Sequence, residues 1–250
     1  MKRLWLILTV LLFVACEEKK NGSYIEYWDD GQKKVESSYK NGKLNGLYTE
    51  WFENGQKEEE ANYKDGELHG VIINWNDNGQ KWWEQTFKDG NQHGPMTTWH
   101  DNGQKHEEVT WKDNKRHGLA FIWFENGNLE YKGNYINDKE DGLHTSWFEN
   151  GQKEEEATFK DNKYNGINNL WYENGQKNFE GVWMDDELVG TGTKWYENGQ
   201  KQYSEIYNNG EVILAKCWDK KGNAQDCNYM WKLWDQELLE ELKKIDEIKN

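Results

Sequence analysis

The sequence predicts an all-β protein: an elongated, single-layer antiparallel β-hairpin repeat array followed by a short C-terminal α-helix. Three observations carry that reading. Gly31, Gly55, Gly79, Gly103, Gly127, Gly151, Gly175 and Gly199 recur every 24 residues without an insertion. Seven of them follow Asn and the first follows Asp30, and such pairs accept the positive φ of a tight hairpin turn. Eleven residues after each glycine a second turn pair recurs, from Asn41-Gly42 and Asp65-Gly66 to Asp185-Asp186 and Asn209-Gly210, always of Asn, Asp or Gly.

The chain opens with Lys2 and Arg3, an apolar run from Leu4 to Val14, and small Ala15 just before Cys16. The run is too short to span a bilayer as a mature helix and reads as a secretory signal over residues 1–15. Ending as it does at a cysteine, it resembles a bacterial lipoprotein signal peptide. That resemblance implies that Cys16 becomes the lipid-bearing N-terminus, followed by a tether over 16–23. Phe13 stands where such signals usually carry leucine, and Leu12 lies one place early.

Residues 24–213 read as eight 24-residue units. Between turns lie segments of seven to ten residues rich in Trp, Tyr, Phe and Thr, so about sixteen short strands form a continuous meander. A further glycine stands four residues after each second turn pair, from Gly46 to Gly190, until Leu214 replaces it. Two columns hold the aromatic residues. One contains Tyr27, Trp51, Trp75, Trp99, Trp123, Trp147, Trp171 and Trp195; the other contains Tyr39, Tyr63, Phe87, Trp111, Tyr135, Phe159, Trp183 and Tyr207.

Register decides whether the columns share a face, because a slip of one residue turns a whole strand over. A plain two-residue turn at Asn-Gly places the tryptophans beside Glu36, Glu60, Glu84, Glu108, Lys132, Glu156 and Glu180. A turn with one bulged residue places them with the second column and with small Ala61, Gly133, Ala157 and Gly181. The bulged turn is the expectation here, since it yields one aromatic and one acidic face.

Cys217 and Cys227 lie equally far on either side of Gly222, so a terminal hairpin over 214–228 would bring them face to face. In an exported protein this favours a disulfide. A metal site would need more soft ligands, and no histidine follows His144. Within residues 229–250, Trp231, Trp234, Leu238, Leu242, Ile245 and Ile248 recur at spacings of three and four, with Lys243, Lys244 and Lys249 late. This predicts an amphipathic helix that caps the open sheet edge or docks into a partner's groove.

The Tyr-Lys-Asn-Gly-Lys-Leu-Asn-Gly stretch from Tyr39 to Gly46 and its copy from Tyr63 to Gly70 resemble the MORN repeat. The added Trp-Tyr-Glu-Asn-Gly-Gln-Lys half, as at Trp171 to Lys177, is similar to the MORN-variant repeat of bacterial proteins often labelled antitoxin components of toxin–antitoxin systems. The resemblance implies a single-layer hairpin array acting in protein or membrane-surface contacts, without catalysis of its own. Asn114, Asp138, Asn162 and Asp186 depart from it by replacing the turn glycine.

Composition bounds the function. The chain of 250 residues is 35% hydrophobic and carries 16 Trp, 13 Tyr and 8 Phe, so its apolar mass suits a thin fold rather than a deep core. Loss of residues 1–15 would remove two basic residues and no acidic one, moving the formal charge from −15 to −17. Such a surface repels phosphates, which argues against nucleic acid and anionic headgroups as partners.

No catalytic set is expected. His69, His93, His100, His106, His117 and His144 make no metal or general-base spacing, and Glu58-Glu59-Glu60 and Glu154-Glu155-Glu156 read as solvated surface. No phosphate loop, nucleophile elbow or zinc motif occurs, and no cofactor or metal is called for. Trp51, Trp75, Trp99, Trp123, Trp147, Trp171 and Trp195 form a candidate platform for a protein or glycan, although packing between hairpins is their plainer role. The expected function is a non-catalytic scaffold, lipid-anchored at the outer membrane or cell surface through Cys16, that binds a protein or glycan partner. The alternative is an antitoxin or immunity protein that neutralises a toxin.

Overall fold

A computed structural model describes residues 20–208 and 210–227 of the chain. The signal, Cys16 and the C-terminal helix expected over 229–250 lie outside the described residues. Nineteen strands, from β1 (Gly22–Tyr27) to β19 (Ala224–Gln225), form one antiparallel sheet in which each strand pairs with the next along the chain, except that the tenth pairs with both the eleventh and the twelfth, two pieces of one interrupted strand. The sixteen predicted turns account for seventeen strands. The other two come from a break at Asp141, between β11 (Lys139–Glu140) and β12 (Gly142–Trp147), and from a ninth turn at Gly222.

The Asn-Gly turns follow directly from their residues. In the second unit Gly55 N–H donates to Phe52 O at 2.9 Å, Phe52 N–H donates to Gln56 O at 2.9 Å, and Gly55 closes the loop at a φ of +82°. This is a three-residue hairpin loop with a glycine bulge, as the favoured reading required. Asn54 Oδ1 accepts from Gln56 N–H at 3.0 Å, while its Nδ2 donates to Asp77 O of the next unit at 2.6 Å. The same donation recurs from Asn102, Asn150, Asn174 and Asn198, so the turns form a hydrogen-bonded ladder along one sheet edge.

The face assignment is corrected by a second bulge. Trp51 pairs with Lys57, but Glu50 pairs with Glu59, which leaves Glu58 unpaired between them. The same shift follows every such turn, from Asp30-Gly31 in the first unit to Asn198-Gly199 in the eighth. The first extra residue turns the outgoing strand over, and the second turns it back. Trp51 therefore shares its face with Thr49 and Glu60, while Tyr48, Ala61 and Tyr63 lie on the other. The two aromatic columns stand on opposite faces, not together as expected.

The face with the second column is covered by its own side chains. A spine of mutually opposed residues crosses it, including Ala61, Ile72, Gln85, Met96, Val109 and Ala120. Ala61 and Ala157 are fully buried and Val109 is 2% exposed, although no second layer lies above them among the described residues. On the strand that leaves each Asn-Gly or Asp-Gly turn, a ring stands two residues after the spine position, and in four units a second stands two before it. Across Gly133 the hydroxyls of Tyr131 and Tyr135 meet at 2.9 Å, and a Cβ on Gly133 would lie 2.3 Å from the Tyr131 hydroxyl. Trp83 and Phe87 flank Gln85 in the same way, with ring centroids 6.5 Å apart. A residue without a side chain is thus required at Gly133, because its aromatic neighbours fill the space above it.

The second turns are two-residue loops with positive φ at both positions, 51° at Asp65 and 91° at Gly66. In the later units Asn114, Asp138, Asn162 and Asp186 hold φ between 63° and 72° where a glycine would be unstrained. Each gains a bond that glycine cannot make: its side-chain oxygen accepts a backbone N–H of the preceding unit, from Gln92, Arg116, Glu140 and Tyr164 at 2.7–2.8 Å. A net gain of about 0.5–1.5 kcal/mol per bond offsets the left-handed strain. The glycine that follows is needed for close approach. A Cβ on Gly46 would sit 3.3 Å from that of Ser38, at a point where Tyr39 pairs with Leu44 but Ser37 pairs with Tyr48.

The array also runs on past residue 213. In the eighth unit Ile206 pairs with Leu214 and Tyr207 with Val212, so the two extra residues of the other units shrink to one. One residue, the glycine, is missing from the bulge, and everything after it comes one place early. Trp218 then takes the tryptophan position, Gly222 closes a turn by donating to Asp219 O at 2.9 Å, and Asn198 reaches Lys220 O as its counterparts reach theirs. Cys217 and Cys227 are joined by a disulfide across this last hairpin, with Cα atoms 5.3 Å apart.

Candidate functional site

The tryptophan face is ordered by a three-residue device that repeats along the sheet. The ammonium of Lys33 lies 5.5 Å from the ring centre of Trp51, one unit further on. Lys57, Lys81, Lys105, Lys153 and Lys177 sit likewise over Trp75, Trp99, Trp123, Trp171 and Trp195 at 5.6–5.9 Å. Each lysine also pairs with the glutamate three residues on, Lys33 with Glu36 at 2.6 Å and Lys81 with Glu84 at 2.8 Å. Lys57, Lys105, Lys153 and Lys177 pair with Glu60, Glu108, Glu156 and Glu180. The bulge brings lysine and glutamate together, since without Glu58 the side chains of Lys57 and Glu60 would point to opposite faces. The hydrogen bond to Glu36 raises the Lys33 pKa above its ordinary value.

Two units depart from the device: the eighth has Ser204 in the glutamate position after Lys201, and the fifth differs further. Leu129 stands in the lysine position and Lys132 in the glutamate position, so Trp147 has no lysine over it and Lys132 lies 5.7 Å from the ring centre of Phe121 instead. Exposed ion pairs and cation–ring contacts contribute little each, about 0.2–1 kcal/mol. Their effect is to fix the side chains in a pattern.

A second stripe shares this face and was not expected from the sequence. The residue after each second glycine is aliphatic in five units, and Leu47, Val71, Leu119, Leu143 and Ile167 are 36–57% exposed. Val182 and Ile206, opposite Ile167 and Thr191, extend the row. Thr49, Glu60 and their counterparts run between the aliphatic row and the tryptophans. The residues were readable as a column, but their exposure depends on the register that the second bulge sets.

The histidines fall into different settings. His69 and His93 meet the turn aspartates Asp89 and Asp113 at 3.1 and 3.4 Å on the surface. His144 is 4% exposed, inside the covered face, and burial lowers its pKa. Burial also raises the tyrosines of that face, with Tyr164 pushed up to about 12. Among the described residues no three His, Cys, Asp or Glu side chains converge as a metal ion would require.

Comparison with known proteins agrees with this architecture. Residues 20–41, 44–65, 92–113, 116–137, 140–161 and 188–209 match the MORN repeat variant, together just over half of the chain. The intervening stretches have the same pairing, as β5 (Glu67–Trp75) with β6 (Lys81–Lys88) and β14 (Lys163–Trp171) with β15 (Lys177–Met184) show. No curated protein matches the chain. With six matched segments in one uninterrupted sheet of hairpins, the chain belongs to the MORN repeat variant family.

Proposed function

We propose that the protein is a non-catalytic scaffold, anchored at the bacterial cell envelope through a lipid on Cys16, that binds a protein partner with its tryptophan face. One observation carries this reading: three stripes, aliphatic, threonine–glutamate and tryptophan–lysine, repeat in step across the sheet. Two strands per unit set the repeat at roughly 9–10 Å. Single exposed apolar residues are ordinary, but a row of them in register beside fixed charges is the anatomy of an interface. A lysine over one side of six tryptophan rings takes up a surface on which a sugar would stack, so a protein is favoured over a glycan.

A photo-crosslinking residue at Leu119 or Leu143, in the native envelope, tests this reading against the same residue at the turn position Lys88. A discrete protein captured only from the first two positions is the expected result. Capture of nothing, or of the same proteins from all three, overturns it. If the captured protein is toxic and the array abolishes its toxicity, the scaffold acts as an immunity protein. The anchor is tested separately with a fatty-acid analogue: labelling of the wild type and not of Cys16→Ser is expected, and an unlabelled wild type sinks it.

A further inference from the structure

On the covered face, the stretch from Glu140 to His144 combines several features. The position opposite the second aromatic column varies along the array, with Leu44, Leu68, Gln92, Arg116, Tyr164 and Leu188 in other units, and here it holds Glu140 opposite Tyr135. The spine position, filled in other units by Tyr48, Ile72, Met96, Ala120, Asn168 and Gly192, holds His144 here. The strand is interrupted at Asp141, whose N–H donates to Asn134 O at 3.0 Å. Together they set the Glu140 carboxylate 3.9 Å from the His144 ring on this face.

This stretch lines a cavity of about 300 Å³. Tyr131, Phe159 and Tyr164 form its aromatic walls, and Glu140 and Glu155 both line it. None of the lining residues is a lysine or arginine. The nearby cations are engaged elsewhere: Arg116 stacks on Tyr135 at 4.1 Å and pairs with Asp138, Lys139 pairs with Asp161, and Lys160 pairs with Asp141.

His144 supplies no positive charge. Its Nε2 lies 2.9 Å from Asn134 O and donates to it, which leaves Nδ1 to accept from the Tyr131 hydroxyl at 2.6 Å. Tyr135 then donates to Tyr131 at 2.9 Å, completing a chain that fixes the wall of the cavity. Glu155 is held in place by Tyr164 and Asn168, which donate to its Oε1 at 3.1 and 3.0 Å, while the buried Oδ1 of Asn168 has no hydrogen-bond partner.

We infer that this cavity binds an organic ammonium or guanidinium group, with Glu140 and Glu155 as counter-charges and Tyr131, Phe159 and Tyr164 as the ring surfaces around it. Aromatic faces attract a cation through their quadrupole, and the attraction grows as water is excluded. Two carboxylates with no lysine or arginine in the cavity lining provide the charge complement. A neutral or anionic ligand of the same size gains neither. The site lies on the opposite face from the aliphatic and tryptophan stripes, so it stands or falls independently of the scaffold reading.

The test is saturation-transfer NMR on the full-length chain with three probes: n-butylammonium, the end-blocked peptide Gly-Lys-Gly, and n-butanol. Transfer to the ammonium compounds and none to butanol is expected. Tighter binding of the peptide identifies a protein lysine as the natural ligand, and tighter binding of butylammonium identifies a free amine. Glu155→Gln keeps the hydrogen-bond acceptor but removes the charge, and a loss of at least about tenfold in affinity is expected. Glu140→Leu introduces the residue that three other units carry at this position, so it preserves packing and abolishes binding. Equal transfer to butanol, no transfer to any probe, or unchanged affinity in both variants overturns the inference. Far-ultraviolet circular dichroism of each variant confirms that an affinity loss is not unfolding.

Discussion

Residues 156 and 157 are neighbours in one strand and live by different rules. Ala157 lies on the covered face, fully buried beneath Phe159 and its neighbours. Glu156 lies on the tryptophan face, paired with Lys153 and partly open to solvent. The covered face has the packing of a protein interior although it is the surface of a single sheet, because aromatic side chains fold down over the spine between them. The tryptophan face has the opposite economy: long charged side chains hold large rings in position while both stay wet. Packing therefore resides mainly on one face and the ordered charges on the other.

The largest test places a carboxylate on the wrong side of that division. Ala157→Glu should cost about 3–5 kcal/mol in denaturant unfolding, because the new charge is buried with no partner. A loss below about 1 kcal/mol would mean that the covered face is open. Next in size is the covered face's terminal closure. Cys217 opposes Tyr203 there, and removing the disulfide by Cys217→Ser with Cys227→Ser should cost about 2–3 kcal/mol from the loop-closure relation. Contacts in a hairpin array are between neighbours, so hydrogen exchange should show the loss in β17 (Lys201–Asn208) through β19 and not in the central units. A uniform loss across the sheet would refute this locality.

A smaller effect separates the faces by pH. His144 has its pKa lowered by burial, so the folded chain binds its proton less readily than the unfolded chain. Its contribution is present above the unfolded value near 6.5 and is lost as pH falls from there toward the folded value, at no more than about 1.4 kcal/mol per pH unit. Thermal melts between pH 7.5 and 5 should show this slope in the wild type and a shallower one in His144→Tyr, which introduces the Tyr48 type at that spine position. Equal slopes would remove His144 from the account. The smallest effect belongs to the other face. Glu156→Ala should change stability by less than about 1 kcal/mol, since an exposed pair contributes little, and a loss comparable to that of Ala157→Glu would erase the distinction between the faces.

The later units sharpen a further point about turns. Asn114 and Asp186 look like eroded glycines in the sequence, yet each tolerates its left-handed backbone while its side chain bonds to the unit before it. That role was invisible from the sequence because the recipient N–H lies 22 residues away and comes into reach only when successive turns stack.

The sequence by itself determined the unit length, both kinds of turn and the aromatic columns. Asn, Asp and Gly at a turn act through their own φ preferences, and a fixed spacing repeats the same local choice. The place of the cysteines about Gly222 was legible for the same reason. Which columns share a face was decided only in the tertiary structure. The second bulge falls on Lys34, Glu58, Trp82, His106, Glu130, Glu154, Asn178 and Gln202, positions with no common residue type, because what makes the bulge is hydrogen-bond pairing between strands and not any side chain. The hairpin at Gly222 was expected, but its place as a ninth turn of the array was obscured by one missing residue, and the cavity beside His144 by its assembly from β10 (Leu129–Ile136), β11, β12, β13 (Lys153–Lys160) and β14. Local geometry can be read along a chain, but the side on which a side chain emerges depends on every pairing between it and the turn.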